Sequence, residues 1–183
     1  MKNLKQILKG CLKNNRADQY QLYSHFSSKM YGVCLRYAQS YDEAQDLLQE
    51  GFIKVFENLK SLKNEKDLEG WIRRIMVNTA IEKYRVRIKD LTLYKDELGF
   101  SLMQNNNLGI EKLKLNDLFE LIHSLPVQYR LIFNLYVIEG YSHKEIAKEL
   151  NITESTSRSN LTRARTILQK AITEEQKLVQ NVI

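Results

Sequence analysis

One proline, Pro126, interrupts 183 residues, and this scarcity of helix breakers constrains the fold more than any other feature of the chain. Proline inside a helix removes a backbone hydrogen bond and clashes with the preceding turn. A chain with one proline and seven glycines, rich in Leu, Lys, Glu and Gln, is free to run in long helices. Apolar residues recur at helical spacing from about residue 4 to about 90 and again from about 111 to 172, while alternating strand-like stretches are scarce. Residues 96–110 (DELGFSLMQNNNLGI) carry an Asn triplet, two glycines and little amphipathic pattern, the composition of a tether. The expectation is an all-α protein: two small helical domains, 1–92 and 113–183, joined by a flexible linker over 93–112.

The segment Ser142 to Arg165 has the layout of a helix-turn-helix. Ser142 and Glu145 stand three apart, the spacing of a capping box that satisfies two amides at a helix start, and Ile146, Ala147 and Leu150 then form an apolar stripe. Asn151 can adopt the left-handed conformation that ends a helix in a tight turn. Thr153 is placed to cap the next helix. On that helix Ser157, Leu161, Ala164 and Leu168 share one face, while Ser155, Thr156, Arg158, Ser159, Thr162 and Arg163 are left to project outward. Arg can donate twice to guanine, and Ser or Thr reaches phosphates or base edges, so DNA is the first partner to consider. The same pattern also describes an ordinary helical hairpin with a solvated face. Upstream, Ser124-Leu125-Pro126 reads as a helix start with proline in the first turn, leading into the apolar run Tyr129 to Ile138.

The formal net charge is +6 and the sequence pI about 9.2, as suits a nucleic-acid binder. The charge is segregated: residues 1–40 carry a net +6, residues 41–60 a net −3 and residues 71–95 a net +5. Cys11 and Cys34 lack the paired spacing of a zinc site and His25, His123 and His143 are scattered, so no metal or other cofactor is expected and the thiols read as reduced and packed. The amphipathic N-terminus has no continuous apolar signal core and nothing approaches a membrane span. A cytoplasmic protein without membrane insertion is the expectation.

Ser40 and Glu43 mark another capping box, opening a helix from Asp42 to Leu59 whose core stripe is Ala44, Leu48, Phe52, Val55, Phe56 and Leu59. The opposite face holds Asp42, Asp46, Gln49, Glu50 and Glu57, with Leu47 and Ile53 among them. Aliphatics within an acidic face suit a protein partner with a basic surface, although a solvated face with two stray aliphatics is also common. The segment WIRRIMVNTAIEKYR, Trp71 to Arg85, has apolar residues on several sides, as expected of a helix sandwiched in its domain, with Trp71 in the core. Arg74, Asn78 and Arg85 line a remaining strip, with Arg73, Lys83 and Arg87 nearby and Lys63 in the polar connection 60–70 just before it. Such a strip suits strand and phosphate contact, and the connection could receive an unstacked base.

With these residues in view, the chain resembles the extracytoplasmic-function (ECF) sigma factors, the smallest type in the sigma-70 family of bacterial transcription initiation factors. The resemblance rests on Asp46-Leu47-Leu48-Gln49-Glu50 followed by Phe52, on Trp71 to Arg85 with Asn78-Thr79-Ala80-Ile81, and on Leu125-Pro126 leading to Glu145-Ile146-Ala147 and Arg163-Ala164-Arg165. It implies a non-enzymatic protein that binds core RNA polymerase, at the clamp coiled coil and flap of the large subunits, and directs it to promoter DNA, held in check by an anti-sigma factor. Asp42, Asp46, Leu47, Gln49, Glu50 and Ile53 would dock on the polymerase. Lys63, Arg73, Arg74, Asn78, Lys83 and Arg85 would engage the −10 element as it melts, and Ser155, Thr156, Arg158, Ser159, Thr162 and Arg163 the −35 element.

Several positions depart from the family pattern. Ser157 stands where an apolar residue is usual, Asn151 where glycine is, Gly51 where a bulkier residue is and Glu82 where Asp is frequent. Trp71, preceded by Gly70, stands alone where primary sigma factors carry adjacent tryptophans, which implies weaker intrinsic melting and a stricter need for a good promoter. An autonomous helix-turn-helix regulator would bind half-sites as a dimer but leaves the first domain unexplained. A nucleic-acid-modifying enzyme needs a metal cluster, paired carboxylates or an activated nucleophile, and none occurs at convincing spacing.

Overall fold

A computed structural model describes residues 3–95 and 120–180, with side chains placed for 3–89 and 120–173. The expected linker core at 96–110 and the start of the second helical stretch at 111–119 lie outside the described residues. Secondary structure among the described residues is entirely helical. The chain divides into two compact units, Met1–Lys89 and Asp90–Ile183.

In the first unit, α1 (Leu4–Leu12) is opened by a reciprocal cap: Asn3 Oδ1 accepts from the Gln6 amide at 2.9 Å and Gln6 Oε1 from the Asn3 amide at 3.1 Å. Asn14 then turns the chain at φ 58°, a left-handed conformation that asparagine tolerates, and Asn15 caps α2 (Arg16–Tyr37). Gly10 lies so close to the buried Asp18 that no side chain would fit there. Ser40 caps α3 (Tyr41–Asn58) by accepting from the Glu43 amide at 3.1 Å. The expected box is only half formed, because the Glu43 carboxylate reaches past Ser40 to the Gln39 amide at 2.7 Å. Two short 3-10 turns, Leu59–Ser61 and Glu65–Asp67, lead into α4 (Leu68–Lys95).

As its apolar distribution predicts, α4 is enclosed on several sides, with Leu68, Ile72, Met76, Val77, Ala80 and Ile81 all buried. Burying a side chain of that size contributes about 1.5–3 kcal/mol. Trp71 is half-buried rather than fully in the core. Gly51 and Met76 explain the unusual glycine in α3: a Cβ at residue 51 would collide with the Met76 sulfur, so the missing side chain makes room for the methionine. Cys11 and Cys34 are buried free thiols, pushed up to about 11 and about 12 by burial, with the Asp18 carboxylate adding to the effect at Cys11.

In the second unit, helical residues 120–123 precede α5 (Val127–Phe133). Pro126 occupies the cap of α5 rather than its first turn, and the Ser124 hydroxyl donates backward to the Leu121 carbonyl at 2.7 Å. The apolar run Tyr129 to Ile138 is not one regular α-helix: past Phe133 it widens into a π-helical turn, Asn134–Ile138, whose Glu139 amide donates to the Asn134 carbonyl at 3.0 Å. Gly140, at φ 76°, makes the turn that follows. The first helix of the expected pair is α6 (His143–Leu150) and the second is α7 (Glu154–Gln180). Leu125, Ala164 and Leu168 form a core cluster, with Leu121, Ile122, Tyr129, Phe133 and Ile167 packed against it.

Candidate nucleic-acid interface and docking face

The start of α6 is the predicted capping box. Ser142 Oγ accepts from the Glu145 amide at 3.2 Å, and Glu145 Oε2 accepts from the Ser142 amide at 2.8 Å and hydroxyl at 2.7 Å. Those bonds to the charged form hold the Glu145 carboxyl below its ordinary range. Asn151 ends α6 at φ 53°, in the left-handed conformation its sequence position suggested, and the Ile152 amide donates back to the Ala147 carbonyl at 3.0 Å. Thr153 Oγ1 accepts from the Thr156 amide at 3.0 Å and so caps α7.

Ser157, Leu161, Ala164 and Leu168 of α7 point inward, and Asn160 is buried with them. Ser155, Arg158, Ser159, Thr162 and Arg163 are exposed and Thr156 is half-buried. The hydroxyls of Ser159 and Thr162 donate to the carbonyls of Thr156 (3.0 Å) and Arg158 (3.1 Å), leaving oxygen lone pairs outward. Two of the outward guanidiniums already have partners. Arg158 Nη2 donates to Glu154 Oε2 at 2.8 Å and Arg163 Nη1 to the Tyr129 hydroxyl at 3.2 Å. Arg165, part of the family motif but not among the expected DNA contacts, lies with its Cζ 5.9 Å from the centre of the Tyr136 ring.

Beneath this face lies a polar contact that periodicity could not reveal. Ser157 is fully buried, and its Oγ lies 2.9 Å from His143 Nδ1, joining the recognition helix to the first residue of α6. The His143 ring stacks on Tyr136 at 4.4 Å between centroids. Burial and then the nearby Arg158 guanidinium lower the His143 pKa below its ordinary value, despite the opposing effect of Glu154. Arg130 is likewise buried, donating from Nη1 to the His123 carbonyl at 3.0 Å with His123 Nδ1 at 3.1 Å. An arginine within an apolar run gives no sequence signal that it will lie inside.

On α3, Asp42, Asp46, Gln49 and Glu50 are exposed, and Ile53 stands among them at 57% exposure. Leu47 does not belong to this surface: it is 2% exposed, in the core. The correction has a simple cause, since Leu47 falls beside Ala44, Leu48 and Gly51 on adjacent turns and the buried face is wide enough to include it. Sequence reasoning also overlooked Lys54. Its ammonium bridges Glu50 Oε1 at 2.9 Å and Glu82 Oε2 at 2.6 Å, tying α3 to α4. Partial burial opposes its charge, but the hydrogen bonds to Glu82 and Glu50 prevail and raise its pKa. Arg87 makes a second tie between these helices, to Glu43 at 2.8 Å.

Along α4, Arg74, Asn78 and Arg85 share an exposed strip, and Lys63 is exposed in the preceding connection. Arg73 and Lys83 are half-buried. One and nine residues from Arg74, they project about 100° and about 180° around the helix from it, so the structure does not bring all five α4 residues onto one strip. Tyr84, also half-buried, has its hydroxyl pKa pushed up to about 12 by burial.

Among the described residues no cluster of His, Cys, Asp or Glu could hold a metal ion, and no helix is long and apolar enough to cross a membrane. The chain matches the sigma-70 region 2 family over residues 22–88 and the sigma-70 region 4 family over residues 115–168. It is 28% identical to the ECF RNA polymerase sigma factor SigW of Bacillus subtilis, with 93% of this chain and 95% of that protein aligned. It is 30% identical to the ECF RNA polymerase sigma-E factor of Salmonella typhimurium, over 76% of this chain and 78% of that one. Among solved structures, the sigma factor RpoE of Bartonella quintana, crystallised with the anti-sigma factor NepR, has a similar fold (TM-score 0.50, 21% identity, 85% of this chain and 97% of that one covered). Regions 2 and 4 thus lie in order on the two helical units, one carrying the acidic face and basic strip and the other the helix-turn-helix, and the chain belongs to the ECF RNA polymerase sigma factors of the sigma-70 family.

Proposed function

We propose that this sigma factor divides its work between the two units, residues 1–92 docking on core RNA polymerase and opening the −10 element, and residues 113–183 reading the −35 element, with 93–112 as the linker. The observation that carries this reading is the exposed α7 face of Ser155, Arg158, Ser159, Thr162 and Arg163, set on a helix-turn-helix within the region 4 match. Helices so placed enter the major groove, where hydroxyls and guanidiniums read base edges and hold phosphates.

Asp42, Asp46, Gln49 and Glu50 form a negative face for a basic element of the polymerase, the clamp coiled coil, and Ile53 supplies a desolvated contact at its centre. Opposite charges orient such an encounter. Lys63, Arg74, Asn78 and Arg85 contact the −10 element, and Arg73 reaches its backbone from the flank of α4; Lys83, on the far side of the helix, adds only to the positive field. Bases of the non-template strand held by this surface cannot re-pair, so the duplex shifts toward the open state by the differential affinity for that state, without ATP. The chain acts in the cytoplasm, carries no catalytic residue and is held inactive by an anti-sigma factor, as the Bartonella RpoE was found in complex with NepR.

The test is in vitro transcription by sigma-free core polymerase on genomic fragments, including the region upstream of the gene for this chain. Specific initiation at mapped start sites is expected; its absence on every fragment overturns the reading. Reversing Asp46 and Glu50 to Lys is expected to abolish capture of core polymerase in a pull-down at unchanged helicity. Undiminished capture removes the docking role from α3.

A further inference from the structure

The face of α7 that meets a polyanion carries a carboxylate at its first helical residue, Glu154, which the proposed readout does not use. A negative charge on that face repels phosphate and lowers affinity for every DNA sequence alike. Glu154 is nonetheless engaged: its Oε2 accepts from Arg158 Nη2 at 2.8 Å, one helical turn away. The Arg158 side chain keeps 63% of its surface exposed, so the rest of the guanidinium fork faces outward. The pairing has the favourable order for a helix, acid before base at four-residue spacing. The carboxylate also sits at the positive end of the helix dipole. The backbone beneath it is fixed by Thr153, whose hydroxyl oxygen caps the Thr156 amide at 3.0 Å and lies 2.9 Å from the Thr156 hydroxyl.

An isolated arginine on a helix surface samples many rotamers, and a contact to guanine O6 and N7 must first select one of them. We propose that Glu154 is a positioning residue for −35 recognition, holding the Arg158 guanidinium so that its remaining donors address one guanine, at the cost of weaker binding to all other DNA. This rests on the reading of α7 as the −35 recognition helix. It assigns opposite signs to two measurable effects of one side chain. Relief of repulsion follows from any carboxylate removed from this face, whereas a merely structural surface ion pair leaves discrimination unchanged, since exposed pairs contribute little to stability.

The experiment uses holoenzyme, core polymerase plus the full chain, with three DNA probes: a promoter fragment from the mapped start sites, the same fragment with each −35 guanine replaced in turn, and a random-sequence duplex. Glu154→Gln keeps the shape and removes the charge. It is expected to tighten binding to the random duplex, steepen the salt dependence by up to about one in log–log slope, and reduce discrimination at one guanine by about five-fold or more. Glu154→Asp keeps the charge but withdraws the carboxylate from Nη2. It is expected to lose the same discrimination with no gain on the random duplex. Unchanged discrimination in both variants, beside its loss in Arg158→Ala, overturns the positioning role and leaves the recognition helix standing. Unchanged discrimination in Arg158→Ala overturns Arg158 as a base reader and this inference with it. Circular dichroism of each variant confirms that α7 is intact, so a uniform loss on all three probes at full helicity also counts against the proposal.

Discussion

At the scale of the residue, two close approaches give the sharpest predictions. Gly51 leaves the space that the buried Met76 side chain fills, and overpacking a filled site costs about 1–3 kcal/mol. Gly51→Leu is therefore expected to lower the urea midpoint, and Gly51→Leu combined with Met76→Ala to recover part of the loss by restoring total volume; no recovery argues against the pair. His143 gives a pH dependence. Its pKa in the folded chain lies below the ordinary 6.5, so at pH 8 it is neutral in both states and contributes no penalty. As pH falls through the unfolded value, the unfolded chain takes up the proton first, and stability is lost down to the folded pKa. Thermal unfolding of the C-terminal unit should fall more between pH 8 and pH 5.5 in the wild type than in His143→Gln. Equal falls would place the pH sensitivity elsewhere.

At the scale of the element, helix ends decide the geometry of the reading head. Asn151 holds α6 and α7 at their turn with φ 53°. A β-carbon without a polar side chain is disfavoured there, whereas glycine is not. Asn151→Ala is expected to destabilise by about 1 kcal/mol and Asn151→Gly to be neutral or slightly stabilising, as read by chemical denaturation. Reversal of that order would mean the asparagine side chain matters more than its backbone conformation. Both ends of α6 and the start of α7 were legible in the sequence because caps act within one turn. Ser142-x-x-Glu145 and Thr153 need no distant neighbour to be recognised. The half-formed box at Ser40 shows the limit of that logic, since Glu43 divides its oxygens between the Gln39 amide and Arg87, 44 residues away.

At the scale of the whole molecule, each unit has its own buried core, so segments 1–92 and 113–183 are expected to fold when expressed separately. Each should unfold cooperatively in urea, and segment 1–92 should be retained on immobilised core polymerase without the rest of the chain. A segment without a cooperative transition would show that the two halves depend on one another. Two ion pairs, Lys54–Glu82 and Glu43–Arg87, join α3, which carries the acidic face, to α4, which carries the basic strip, and Glu50 shares the Lys54 ammonium from within α3. Glu50 and Glu82 are exposed while Lys54, Arg87 and Glu43 are half-buried, so the ties stay within reach of solvent and contribute modestly to stability; their effect is to fix one face against the other.

The sequence by itself determined the all-helical class, the helix-turn-helix with its caps, and the segregation of acidic and basic faces. Each of these follows from residues within a few helical turns of one another, where periodicity and side-chain chemistry suffice. Only tertiary structure decided that Leu47 faces the core while Ile53 faces solvent, that Ser157 on its packed face meets His143, and that Arg130 is buried with His123 as a partner. How wide a buried face is, and whether a polar group inside it is satisfied, depends on which distant helix packs against it. Contacts made only after folding set both.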